Sequence, residues 1–127
     1  MTDATGLGRC REELAAARLL AANGFQAQAI SRAYFAAFYA AEAALLALGQ
    51  TRSKHAGVIS AFIRLLVRGG QLDEQIGRLL RSLFERRNQA DSSPVEVAAD
   101  EAEAAVRDAE RVVGAVETWL AHRDLGG

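Results

Sequence analysis

Apolar residues recur along most of the chain at spacings of three and four, which is the period of an amphipathic α-helix. No segment shows the sustained period-two alternation with β-branched residues that would predict a strand. Glycines stand where the helical pattern stops, at Gly24, Gly49, Gly69 and Gly70. The pattern predicts five helices, over about 7–23, 26–48, 54–68, 72–90 and 97–122.

The second predicted helix has an apolar stripe and carries alanine over much of its remaining surface. The stripe comprises Ile30, Tyr34, Ala37, Phe38, Ala41, Leu45 and Leu48. Because alanine lets neighbouring helices approach closely on several sides, this helix is expected at the centre of the fold. Ser53 is the expected N-cap of the third helix. Short connections between long helices favour antiparallel packing, so the fold class is an all-α up-and-down bundle of four main helices plus one shorter helix.

A chain of 127 residues has the size of one domain. We expect a single domain over 1–127, with its core at about 7–122 and frayed ends at 1–5 and 123–127. The N-terminus has neither the basic nor the apolar region of a signal peptide. The longest apolar stretch contains Glu42 and is shorter than the roughly 20 residues that cross a bilayer. These features predict a cytoplasmic protein that does not associate with membranes.

The charge distribution permits only a local surface for a polyanion, because the formal net charge is -1. Between positions 52 and 68 there are four cations and no acidic residue. Within this segment, Arg52, Lys54 and His55 are the candidate contacts for RNA or phosphate.

Most standard catalytic motifs are absent from the sequence. It has no glycine-rich phosphate loop, no Cys/His pairing with zinc spacing and no Glu-x-x-His pair of a di-iron bundle, so neither a metal nor a cofactor is expected. Cys10 is the single cysteine, which excludes an intrachain disulfide, and no neighbour in sequence would activate it. His122 is expected to face solvent.

His55 has three possible roles that the sequence leaves open. It can orient its loop through a hydrogen bond, contact a phosphate beside Arg52 and Lys54, or transfer a proton. Four aromatic residues of the second helix lie at helical spacing, which favours core and interface positions over a stacking platform. They are Tyr34, Phe35, Phe38 and Tyr39.

The fourth predicted helix ends its apolar stripe with two charges, Arg87 and Asp91. At i and i+4 these side chains can touch, but such a pair adds little stability when it is exposed. A partly buried charge persists only with a partner, a ligand or another subunit. The pair therefore either closes the bundle within one chain or holds Arg87 in a cleft, where its planar guanidinium suits a phosphate.

Four segments in this order resemble the HEPN-domain proteins of bacteria and archaea. They span 29–46, 53–62 ("SKHAGVISAF"), 83–91 ("LFERRNQAD") and 101–113. The resemblance covers about residues 10–115. It implies an all-α bundle that forms a homodimer, and a two-gene toxin-antitoxin module with a nucleotidyltransferase-domain partner. Many family members are metal-independent ribonucleases whose motif is Arg followed, after four to six residues, by His.

Arg87 matches the arginine of that motif, and Asn88 matches the polar residue that follows it. The chain is similar to a branch ending in Arg-x-x-Ala-Asp-Tyr, which Arg87, Ala90 and Asp91 fit. Ser92 stands where that branch has tyrosine, and no histidine occurs at the motif's spacing. The catalytic candidates are therefore Arg87, Asn88, Asp91 and Ser92, in a degenerate motif. The alternative is a noncatalytic helical module that binds nucleotide, RNA or protein through the Arg87 cleft.

Overall fold

The computed structural model describes residues 6–126, with side chains as far as Arg123, and it is an all-α bundle. Its helices are α1 (Leu7–Ala22), α2 (Gln26–Ala47), α3 (His55–Phe62), α4 (Glu74–Ser92) and α5 (Ala99–Gly126). A single π-helical turn, Ile63–Val67, continues α3. The predicted class, four main helices plus one shorter helix, is confirmed.

Helix α2 lies at the centre of the bundle and packs against each of the other four helices. Its alanines are buried on several sides, as the sequence pattern predicted. The other helices each bury an apolar face against it or against each other. The largest fully buried side chains include Tyr34 of α2, Phe62 of α3, Leu83 of α4 and Val112 of α5.

The starts of α3 and α4 differ from prediction. Ser53 is not an N-cap: Lys54 occupies that position with an extended backbone and makes no side-chain capping bond. Helix α4 begins at Glu74 because the carboxylate of Asp73 accepts a hydrogen bond of 2.7 Å from the backbone amide of Gln75.

The predicted third helix is α-helical only to Phe62. Its continuation widens to a π-turn, in which the amide of Arg68 donates to the carbonyl of Ile63, five residues earlier, at 2.8 Å. Gly70 then takes a φ of +83° and ends the segment. The predicted boundary at 68 is thus close, but the last turn has a different hydrogen-bond period.

The C-terminal helix continues to Gly126, beyond the predicted end at 122 and into the segment expected to be frayed. Arg123 ties this end to the bundle, because its guanidinium donates to the carbonyl of Ala47 at 3.3 Å and lies 5.1 Å from the ring centroid of Trp119. The expected frayed residues 1–5 and 127 lie outside the described residues. Over the described part of the chain, no helix is apolar enough along a sufficient length to cross a bilayer.

Candidate functional site

A row of four aromatic side chains, Tyr34, Phe35, Phe38 and Tyr39, runs along one side of α2. Ring centroids are 5.2 Å apart for Tyr34 and Phe35, and 6.0 Å apart for Phe38 and Tyr39. Tyr34 and Phe38 are buried, as predicted for core residues, whereas Phe35 and Tyr39 are partly exposed. This aromatic row forms the base of the candidate site.

His55, on the first turn of α3, packs directly on the aromatic row. Its ring stacks on Phe38 at a centroid distance of 4.0 Å, and its Nδ1 lies 2.8 Å from the hydroxyl of Tyr34. Of the roles left open by the sequence, a hydrogen bond that orients the histidine is therefore present. Within the described part of the chain, Nε2 makes no hydrogen bond, so this nitrogen is free to exchange a proton with a ligand.

Arg87 approaches the same rings from α4. Its guanidinium carbon lies 5.1 Å from the centroid of Phe35 and 5.5 Å from that of Tyr34, within cation–π distance. Its Nε is 3.0 Å from a carboxylate oxygen of Asp91, which makes the predicted intrachain pair, but the N–H is not directed at that oxygen. None of the Arg87 donors has a directed hydrogen bond to another described residue. The guanidinium is thus positioned by rings and by charge while its donors stay unused.

Burial and the charge of Arg87 set the protonation states of this group. Burial raises the pKa of Tyr34 well above its usual value, against the opposing effect of Arg87, so the phenol stays protonated. Burial also lowers the pKa of His55, and the positive charge of Arg87 lowers it further. At neutral pH, His55 is therefore a neutral imidazole that can accept a proton.

The remaining residues of the degenerate motif do not reach this cluster. The hydroxyl of Ser92 donates to the carbonyl of Asn88 at 2.6 Å, a bond within its own helix. The side chain of Asn88 is exposed and makes no hydrogen bond to another described residue. The structure therefore brings His55 and Arg87 to the same rings, with Asp91 beside Arg87, and it leaves Asn88 and Ser92 at the solvent-facing end of α4.

The two predicted cationic contacts lie in the loop before α3. Lys54 is exposed beside His55. Arg52 donates to the carbonyl of Thr51 at 2.6 Å and lines a separate cavity next to Tyr39. Arg52 is exposed as well, so both cations are open to solvent in the loop that leads to the histidine.

Tyr34 is the site residue that sequence reasoning missed. It occupies the apolar stripe of α2, and nothing local in the sequence pairs it with His55. The structure also distinguishes two adjacent arginines. Arg86 donates to Asp108 of α5 at 2.8 Å and so joins two helices, whereas Arg87 faces the aromatic row.

A titration of His55 would test this arrangement. Replacement of Arg87 by alanine is expected to raise the pKa of His55, because it removes a nearby positive charge, while burial continues to hold that pKa below the usual 6.5. The imidazole proton resonances measured by NMR against pH would show the shift, with His122→Gln used for assignment. An unchanged His55 titration in Arg87→Ala would contradict the proximity of the two side chains.

Comparison with known proteins agrees with the all-α fold. The HEPN domain family model matches residues 7–119. The chain belongs to the HEPN domain family. Within this HEPN family, the chain is 37% identical over 113 residues to a UPF0332 protein of Thermotoga maritima, covering 88% of this chain and 86% of that protein.

Two proteins of Methanocaldococcus jannaschii whose names mark them as candidate toxins are also similar. One is 35% identical over 109 residues, covering 86% of this chain and 81% of the relative. The other is 28% identical over 96 residues, covering 75% of this chain and 65% of the relative. The similarity to the 35%-identical relative therefore extends over most of the helical bundle.

Proposed function

We propose that this HEPN-domain protein is the toxin-like component of a two-gene module and cleaves RNA without a metal, at a centre formed by His55, Tyr34 and Arg87. The observation that carries the proposal is the 2.8 Å contact between His55 Nδ1 and the Tyr34 hydroxyl, on rings that also hold Arg87. In this centre His55 takes the role of the histidine that the motif lacks after Arg87. The names of the Methanocaldococcus relatives support the toxin-like role.

The reaction starts with attack of an RNA 2′-oxygen on the adjacent phosphorus. Neutral His55 takes the 2′-hydroxyl proton at Nε2, while its Nδ1–H donates to the Tyr34 oxygen and holds the ring in this tautomer. The bond from phosphorus to the 5′-oxygen breaks, and that oxygen takes a proton from water. The protonated His55 then gives its Nε2 proton to the hydroxide that remains, which restores the neutral imidazole. The products carry a 2′,3′-cyclic phosphate and a 5′-hydroxyl.

Arg87 supplies the charge that this reaction needs. Its unused donors face the phosphate oxygens, where negative charge develops in the transition state, and the guanidinium fork fits two of those oxygens at once. Asp91 holds the opposite charge next to the Nε of Arg87 and limits its freedom to move. In this assignment Ser92 takes no part in the proton transfer.

The partners follow from the same proposal. The protein acts in the cytoplasm as a homodimer, and a nucleotidyltransferase-domain antitoxin encoded by the neighbouring gene counteracts it. Family membership supports this arrangement. Light scattering of the purified chain tests the dimer, and co-purification with the neighbouring gene product tests the antitoxin.

RNA cleavage by matched arginine variants tests the function. Wild type and Arg78→Ala are expected to cleave labelled single-stranded RNA to products with 2′,3′-cyclic ends, whereas Arg87→Ala is expected to be about 100-fold slower. Arg78 is the control because it lies exposed on the same helix, 3.8 Å from Glu74. Equal cleavage by wild type and Arg87→Ala would refute the proposal.

A noncatalytic binding module is the second candidate function. It is favoured by the hydrogen bond of the Ser92 hydroxyl to its own helix, because a hydroxyl held in this way does not take part in catalysis. RNA that is retarded in a gel but stays intact with the wild-type protein would support binding alone. Lys54 and Arg52 would then make that binding weaken as the salt concentration rises.

A further inference from the structure

A cavity of about 540 Å³ lies beside the His55–Arg87 centre, between the start of α1, the second half of α2 and the loop before α3. Its polar lining includes Arg9, Tyr39, Glu42 and Arg52, together with Gln50 and Thr51. Its floor is apolar and includes Leu45 and Val58. A volume of this order is typical of sites for small molecules and nucleotides.

One wall of the cavity is flat. The guanidinium carbon of Arg9 lies 4.8 Å from the ring centroid of Tyr39, and one of its nitrogens is 3.4 Å from the Tyr39 hydroxyl. An arginine stacked on a phenol ring presents a planar, delocalised surface on which another planar group can stack. The wall therefore favours an aromatic or heterocyclic ligand over an aliphatic one.

The opposite charges of the cavity do not pair with each other. Glu42 follows Tyr39 by one helical turn and has no cation within ion-pair distance among the described residues. The guanidinium of Arg52 donates hydrogen bonds only to neutral oxygens: the carbonyl of Thr51 at 2.6 Å and the side-chain amide oxygen of Gln50 at 3.4 Å. Arg9 likewise has no carboxylate partner in the described part of the chain. The cavity thus offers a free carboxylate and two free cations to a ligand.

We propose that this cavity binds a guanine nucleotide, with Glu42 accepting hydrogen bonds from the base and Arg52 contacting the phosphate. The Watson–Crick edge of guanine carries two adjacent donors, N1–H and the 2-amino group, which match the two oxygens of a carboxylate. Adenine and cytosine place an acceptor next to their amino group, and that acceptor would face the carboxylate. Glu42 therefore selects guanine by attraction and rejects the other two by repulsion.

The cavity shares one residue, Tyr39, with the aromatic row on which His55 packs. Tyr39 contacts Phe38, on which His55 stacks, at 6.0 Å between ring centroids. A guanylate of an RNA strand bound here would place a neighbouring phosphate toward His55. The proposed binding of guanine depends on the cavity residues alone. The further step, in which the bound guanylate determines which phosphate is cleaved, rests on the proposed function.

Binding is best measured with the full-length Arg87→Ala variant, because Arg87 does not line the cavity and the slow cleavage expected of this variant preserves the RNA during the measurement. Calorimetry is carried out with GMP, IMP and AMP. IMP lacks the 2-amino group of GMP, and AMP lacks both that group and the N1–H, so the series removes the two base donors one at a time. GMP is expected to bind about 5- to 150-fold tighter than AMP, with IMP between them. The trinucleotides UGU and UAU, compared in the same way, distinguish a guanylate within RNA from the free nucleotide.

Replacement of Glu42 by glutamine is expected to abolish the preference for GMP over AMP. Arg52→Gln is expected to lower the affinity for all three nucleotides by a similar factor. Glu103→Gln is the matched control, because Glu103 is exposed on α5 and lies outside the cavity. Equal affinity for GMP and AMP, or an unchanged preference in Glu42→Gln, would overturn the proposal, as would absence of binding by both GMP and UGU. Since this readout needs no cleavage, its failure is separate from failure of the ribonuclease assignment.

Discussion

Replacement of His55 by glutamine is expected to slow RNA cleavage by about 10²- to 10⁴-fold, the usual contribution of a positioned general base. Glutamine retains a polar group near Tyr34 but cannot take the 2′-hydroxyl proton. RNA affinity should change little, because Arg87 stays in place. The rate of cyclic-phosphate formation and the RNA dissociation constant, measured on the same preparation, separate these two effects.

The matched control for this prediction is His122→Gln. His122 is the second histidine of the chain, and it is exposed on α5, away from the aromatic row. Its replacement should leave the cleavage rate unchanged. If His55→Gln cleaves as fast as wild type while Arg87→Ala is inactive, proton transfer occurs elsewhere, and the role of His55 is limited to packing on Phe38.

Replacement of Leu83 by alanine is expected to reduce the free energy of unfolding by about 3 kcal/mol, because it leaves a cavity in the core. The Leu83 side chain is fully buried on α4, one turn before Arg87. For a domain of this size, that loss corresponds to a fall in Tm of about 10 °C. Thermal and urea unfolding followed by circular dichroism would measure it.

Leu19→Ala provides the same chemical change at a surface position, because Leu19 is 66% exposed on α1. Its effect on the free energy of unfolding should stay within about 0.5 kcal/mol. If the two variants unfolded at the same temperature, the packing of α4 described here would be wrong. The placement of Arg87 depends on that packing, so the comparison also checks the scaffold of the site.

Two arginines lie against the aromatic row, and they differ in how they meet their carboxylates. Arg32 lies 4.8 Å from the ring centroid of Phe35 and pairs with the buried Glu13 of α1 at 2.8 Å. Arg87 lies near the same ring. Each of these cations has a carboxylate beside it, since Asp91 lies 3.0 Å from the Nε of Arg87, but only Arg32 makes a directed hydrogen bond to its carboxylate. The donors of Arg87 therefore stay available to an anion such as a phosphate.

The sequence by itself determined the elements and some of the candidates. Helical periodicity and glycine positions depend on local backbone geometry, so they predicted five helices with ends within a few residues of those observed. The alanine-rich composition of α2 indicated a central helix for the same local reason. Arg87 was identifiable because a charge interrupts the apolar stripe of its own helix. The start of α4 is also set locally, by the capping bond from the amide of Gln75 to Asp73, which the apolar periodicity alone did not show.

Only the tertiary structure decided which of these residues act together. Tyr34 and His55 lie 21 positions apart and belong to different helices, so their hydrogen bond depends on how α3 packs against α2. Arg87 joins them from a third helix, through rings rather than through sequence spacing. The same packing left the Ser92 hydroxyl bonded to its own helix. Spacing along one helix can identify a pair such as Arg87 and Asp91, but a site built from three helices is set by the burial of their shared aromatic core.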